Sequence, residues 1–248
     1  MPVRLRKPLS QNLIITILGR KGSGKSTLTR ELIAERPRVI ILDAVGEYPD
    51  EQGYPPKTEV VWGIDDCLNA LEETEDRDKF RLSLRCYQRE EDLDLLDACF
   101  ETKDCLVVVE ETWRLCTPYE IPDPLSKLVR FGRHHRIDQI YVSQRGSSIH
   151  RDLTAQSDLI VSFQQHEPRD VMYLRSLGDA NESVRTLPPF KVICIGDIDR
   201  APVPILERIH VVTHPQMRLE FDDREPTAVE VPEKEVLDTD EEGSVASE

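Results

Sequence analysis

At 248 residues the chain can bury a substantial core, and one α/β domain over 1–221 with an acidic tail over 222–248 accounts for the length without a second domain. The net charge of −15 argues against a uniformly basic surface, yet 222–248 carries nine of those charges, leaving room for a local basic face toward a polyanion. No basic leader precedes a long apolar core, and no apolar run approaches the ~20 residues that cross a bilayer, so a soluble, unprocessed, intracellular protein without direct membrane insertion is expected. The six cysteines, at 67, 86, 99, 105, 116 and 194, form no Cys-x-x-Cys pair. Reduced core thiols are therefore expected, and neither zinc nor a disulfide framework. The tail is polar and weakly periodic, and reads as disordered or as a short docking peptide.

In chain order, the apolar run 13–18 predicts a strand, and it leads into Gly-Arg-Lys-Gly-Ser-Gly-Lys-Ser-Thr at 19–27. This matches the Gly-x-x-x-x-Gly-Lys-Ser/Thr phosphate loop, with a helix predicted from 26 to 35 and stopped by Pro37. The glycines at 19, 22 and 24 allow the backbone to approach phosphate oxygens with its N–H groups. Gly19, Gly22, Ser23, Gly24, Lys25, Ser26 and Thr27 are accordingly the nucleotide-binding candidates. Lys25 is expected on the β- and γ-phosphates, and Ser26 on Mg²⁺. ATP and Mg²⁺ are the implied ligands.

Further strands are predicted at 39–42, 60–62, 80–84, 105–109, 140–142, 159–163 and 192–195, and further helices at 64–73, 92–100 and from 123 to 133. Residues 49–57, rich in Pro and Gly, read as an irregular connection. Strands alternating with helices of these lengths predict an α/β fold with a mainly parallel sheet covered on both faces. Ligands in such sheets sit beyond the carboxyl ends of the strands, where Gly19, Asp43, Glu110, Glu111, Ser143 and Gln144 would converge.

Two apolar strands end in acid, so Asp43 or Glu110 is the candidate for the metal's water shell. Glu110 and Glu111 together supply one carboxylate for the metal and a neighbour to polarise an attacking water, which favours hydrolysis over transfer to a substrate hydroxyl. Gln144 is placed to sense the γ-phosphate or hold that water. The segment beginning Asp123-Pro124 has an N-cap candidate and Pro at the first helical position. It carries Lys127, Arg130 and Arg133 toward its other end, cations that also suit the helix dipole. Arg133 is the candidate to reach a neighbouring subunit's γ-phosphate, with Arg130 and Arg136 as rivals. The loop 145–151 mixes cations with hydroxyl residues, so Arg145 and Arg151 are the DNA-contact candidates.

Four blocks resemble the HerA-FtsK superfamily of ring-forming, nucleic-acid-pumping ATPases over roughly residues 13–178: GRKGSGKST, ILDAVGEY at 41–48, VVVEETWRL at 107–115 and FGRHHRIDQIYVSQR at 131–145. The resemblance implies a RecA-like P-loop NTPase fold, a homo-oligomeric ring, hexameric in that family, and sites between subunits. It also implies Glu110 as metal support, Glu111 as water activator, Gln144 as sensor and Arg133 as the finger. Gly146 stands where relatives commonly carry Pro, and Glu110 where Asp is frequent. With neither an accessory domain nor membrane spans, the chain looks most like the genome-packaging ATPases of membrane-containing double-stranded DNA viruses. The expected partners are then double-stranded DNA and a portal or capsid protein. The alternatives are a nucleotide-dependent assembly switch and a small-molecule kinase.

Overall fold

The predicted β-branched runs form the strands of a single sheet, and the computed structural model describes residues 12–48, 57–178 and 182–213. The expected irregular connection, apart from Lys57, lies outside the described residues, as do the boundary at 221 and the acidic tail over 222–248. The chain runs through β1 (Ile14–Leu18), α1 (Lys25–Ile33), β2 (Arg38–Leu42), β3 (Glu59–Trp62), α2 (Ile64–Glu72), β4 (Phe80–Arg85), α3 (Arg89–Glu101) and β5 (Leu106–Val109). It continues through α4 (Asp123–Phe131), β6 (Asp138–Ser143), α5 (Arg151–Ala155), β7 (Leu159–Ser162), α6 (Pro168–Leu177), β8 (Val192–Gly196), α7 (Val203–Leu206) and β9 (Ile209–Thr213).

The strand order is β3-β4-β2-β5-β6-β1-β7-β8-β9. Every neighbouring pair is parallel except β7 with β8. Side chains alternate across each strand, so Ile14 and Leu18 pack toward α2–α6, while Ile15 and Ile17 pack toward α1 and α7. Both faces are covered, which is why the central strands are continuous apolar runs. Each fully buried Leu or Ile contributes roughly 1.5–3 kcal/mol. Two acids fix the start of the phosphate-loop strand. Leu13 N–H donates to Asp138 Oδ1 (2.7 Å), at the start of β6, and Ile14 N–H to Asp158 Oδ2 (2.8 Å), just before β7.

The local start signals work as chemistry requires. Gln88 and Glu91 close a capping box on α3, Glu91 accepting from the Gln88 N–H (3.0 Å), so this helix begins three residues before the apolar spacing suggests. Asp123 differs from expectation: it is the first helical residue of α4, after Pro122, and not its cap. Arg133 lies beyond α4, in a one-turn 3-10 segment at Gly132–His135. All six cysteines are free and buried.

At the end of β8, Gly196 has φ +128°, and a Cβ there would stand 2.1 Å from the Asp158 carbonyl oxygen. That backbone atom is held in the β7 pairing and cannot swing aside. Gly196→Ala is expected to destabilise the fold by about 1–3 kcal/mol. The measurement is the urea midpoint, and an unchanged value would show that the strand end yields freely.

Candidate nucleotide-binding site

β1 ends at Leu18, and the chain turns through 19–24 into α1. Gly24, at the helix cap, has φ +108°, and a Cβ on it would meet the Phe190 ring at 2.9 Å. On Gly19, a Cβ would fall 2.7 Å from Phe163 Cβ. The loop is thus held tightly against two aromatic side chains. The first turn of α1 has no side-chain cap and no acid of its own, so no capping side chain claims its N–H groups. Ser23 Oγ is buried with no hydrogen-bond partner among the described residues. Lys25 opens the helix at only 9 % exposure, its Nζ donating to Arg20 O (3.3 Å). Burial lowers its pKa, opposed by Glu111, Glu110 and Glu47. A cavity of about 640 Å³ covers the loop, with Gly22, Ser26 and Thr27 also in its wall. A glycine cradle, an orphaned hydroxyl, open amide groups and a buried ammonium fit a polyphosphate.

The strand order sets the other wall. Because β6 lies between β5 and β1, Glu111 and Gln144, which follow β5 and β6, come to the same flank of the loop. Gln144 Nε2 donates to Glu111 Oε1 (2.9 Å), and the Trp113 indole N–H donates to the other carboxylate oxygen. Glu111 is half-buried and sits in the left-handed region at φ +48°. That strained backbone turns its side chain into the cavity, which it and Gln144 line.

The two candidate metal acids differ sharply. Asp43 is buried and already committed. It accepts from the Glu47 and Tyr48 N–H groups (2.8 and 3.1 Å), from Ser83 Oγ (2.9 Å) and from the Arg85 guanidinium (2.9 and 3.1 Å). Its task is to hold the turn after β2 to β4. Glu110 is also buried, and it accepts from the Tyr48 hydroxyl. Burial, with Glu47 and Asp43 adding repulsion, raises its pKa to about 7 against the opposing effects of Tyr48 and Lys25. Serine hydroxyl and carboxylate are hard oxygen donors of the kind Mg²⁺ takes. Ser26, in the cavity wall, and Glu110, buried outside that wall but near enough to feel the Lys25 charge, are the donors of that type here, and the charge of the ion would favour the ionised carboxylate.

The sign of the Glu110 effect is testable in metal-free protein. The folded-state pKa of about 7 stands above the usual 4.5, so its stabilising contribution is complete below 4.5 and is lost as pH rises through 7. Glu110→Gln is expected to flatten that part of the stability profile, compared by denaturant midpoints at pH 5 and pH 8 in chelator. An unchanged slope would count against this assignment.

The arginines are not a common positive surface. Arg130 pairs with Asp152 (2.5 Å) and Arg136 with Asp104, whereas Arg133 is exposed and has no ion pair among the described residues. Arg133 precedes β6, so it lies at the opposite edge of the sheet from its own phosphate loop and is not brought into its own site. Arg145, expected as a DNA contact, is instead engaged with α6: it donates to Glu167 (2.8 Å) and Asp170 (3.0 Å). Asp170 also accepts from the Ser147 N–H (3.1 Å) and hydroxyl (2.6 Å). The following loop is a packed turn with Gly146 against Tyr173 and Ile149 buried. Arg151 alone of this pair carries no ion pair among the described residues.

Three site residues had no role assigned from sequence: Tyr48, Trp113 and Phe190. The first two lie inside the motif blocks, close to Glu47 and Glu111. Phe190 sits in a turn closed by Lys191 N–H to Pro188 O (3.1 Å). Pro189 occupies the second position and Phe190, at φ +61°, the third, the type II pattern that ordinarily takes Gly or Asn there. The left-handed backbone costs this side chain roughly 1–2 kcal/mol. The residue is 60 % exposed and lines the cavity.

The fold and the loop geometry are those of a RecA-like P-loop NTPase. No protein-family model matches the sequence, and no curated protein matches it either. Among solved structures, the chain is similar to the genome packaging NTPase B204 from Sulfolobus turreted icosahedral virus 2 in complex with AMP. The TM-score is 0.59 at 17 % identity, over 77 % of this chain and 95 % of that one. The AMPPCP complex of the same protein gives 0.57 at 20 % identity, over 76 % and 94 %. The B204 DNA-packaging ATPase from Sulfolobus turreted icosahedral virus gives 0.55 at 18 %, over 76 % and 94 %. No helix among the described residues is long and apolar enough to cross a membrane.

Proposed function

We propose that this chain hydrolyses ATP to move double-stranded DNA, as the packaging motor of a virus. The observation that carries the reading is the Glu111–Gln144 pair set across the phosphate loop from Lys25. A carboxylate, an amide and a cation that line one cavity are the groups suited to act as general base, γ-phosphate sensor and phosphate anchor. Lys25 and the loop amides hold the triphosphate, and Glu111 takes a proton from the attacking water while Gln144 orients it. Mg²⁺ at Ser26 and Glu110 would neutralise charge on the β- and γ-oxygens. Arg133, far from its own site and without an ion pair among the described residues, is the group available to a neighbour's γ-phosphate in a ring, taken here as a hexamer. Arg151 is the remaining candidate for a DNA phosphate contact, and Arg145 becomes a brace for its loop. DNA pumping by a virion-associated or host-cytoplasmic ring, docked on a portal or capsid protein, is the part of this proposal supported only by likeness of fold to the packaging ATPases.

One observation favours a second reading, a nucleotide-dependent assembly switch: both oxygens of Glu111 already hold donors, and three of the five candidate arginines are neutralised. Steady-state phosphate release with and without double-stranded DNA separates the two. A motor shows DNA-stimulated turnover, and a switch shows slow turnover indifferent to DNA. A phosphorylated acceptor in place of free phosphate would instead identify a kinase.

A further inference from the structure

We propose that Phe190 is the base-stacking platform of this site and takes the purine ring of the bound nucleoside triphosphate, an inference that rests on the nucleotide-site reading above. The turn is the first reason. A Pro-Pro turn whose third position has φ +61° is built for glycine, and this chain places there a large apolar side chain that remains mostly exposed. Packing does not account for it, since 60 % of the residue is open, while the buried Phe163 already supports the loop from below. A strained conformation that presents an aromatic ring to a cavity is the arrangement expected of a ligand contact.

Placement in the sheet is the second reason. The order β5-β6-β1-β7-β8 sets Glu111 and Gln144 on one side of the phosphate-loop strand and β7 and β8 on the other. β8 runs antiparallel to β7, so it starts at the edge where β1 ends, and Phe190 stands two residues before it. Phe190 and the Glu111–Gln144 pair therefore flank the loop from opposite sides, both in the wall of one cavity. A triphosphate whose γ-end is at Gln144 and Glu111 directs its sugar and base toward the flank that holds Phe190. Gly24 completes the fit, because only a residue without Cβ lets the ring edge rest on the loop backbone. With that edge braced, the ring is pre-oriented, and any purine offers a π-face to it.

The test compares equilibrium binding of a non-hydrolysable ATP analogue and of inorganic tripolyphosphate, each with Mg²⁺, to native protein and to Phe190→Gly, Phe190→Ala and Phe190→Trp. Glycine suits the turn, so Phe190→Gly removes the ring without straining the backbone. The analogue is expected to bind roughly 10-fold or more weakly to the Gly and Ala variants. Tripolyphosphate should bind all four proteins within twofold, and Phe190→Trp should retain the analogue. Undiminished analogue affinity in Phe190→Gly would overturn the proposal, as would equal losses for both ligands, which would make the ring a support of the loop. Failure of native protein to bind either ligand would overturn the nucleotide site itself.

Discussion

Glu111→Gln is expected to bind ATP as the native protein does and to lose turnover by at least two orders of magnitude. The substitution keeps the size of the side chain and its acceptor oxygen, so Gln144 Nε2 can still donate to position 111. What it removes is the basic oxygen. General-base assistance contributes typically 10²–10⁴-fold, and among the described cavity-lining residues the other acid is Glu47, which follows β2. Gln144 Nε2 donates to Glu111, and no hydrogen bond joins it to Glu47 among the described residues. Glu111 also needs its strained φ of +48° to reach the cavity, and the isosteric amide tests the chemistry without disturbing that backbone. Phosphate release at saturating ATP and equilibrium binding of a non-hydrolysable analogue are the paired measurements. Turnover within threefold of native would remove Glu111 from its role, and joint loss of binding and turnover would assign it to nucleotide affinity.

Much of this arrangement is legible in the sequence because the relevant physics is local. Residues 13–18 and 105–109 are buried on both faces, which makes their apolar runs unbroken, and the acids and amide that end such runs must emerge at one edge. The half-buried edge strand β9, alternating Ile209, His210 and Val211, gives too weak a signal to separate from a loop, and α5 and α7 are a turn or so long. Side-chain commitments are harder still. Arg145 is spoken for by Glu167 and Asp170, more than 20 residues away on α6, and nothing near Arg145 announces it. The commitment of Asp43 likewise depends on Ser83 and Arg85, which reach it only once β4 pairs with β2. Phe190 was hidden for a different reason: Pro-Pro-Phe-Lys names a turn, but the positive φ that aims the ring exists only in the folded chain.

Lys25→Ala is the second large effect, and its size follows from what the ammonium faces. It is a cation set against Glu111, Glu110 and Glu47, and burial depresses its pKa without the partners reversing the shift. Removing it takes away the cation set against those three acids and leaves Lys21 and Arg30 in the cavity wall, so an incoming triphosphate loses an attraction and feels more of the acids' repulsion. At an effective dielectric of about 20, a unit charge 4 Å away contributes about 4 kcal/mol, which is roughly a thousandfold in affinity. The backbone role of residue 25 is untouched by truncation, since Thr29 Oγ1 donates to its carbonyl (3.1 Å), and the fold should survive. Ligand-induced stabilisation reads this directly. At a nucleotide concentration 100 times the native Kd, binding adds about 2.7 kcal/mol to the native protein, and the same concentration should leave the thermal midpoint of Lys25→Ala where it was. A preserved shift would mean that the loop amides and the α1 N-terminus hold the phosphates alone, and Lys25 would then have to act on the reaction and not on binding. In that case the loss would appear in phosphate release at saturating ATP, the measurement that must accompany the melting curve.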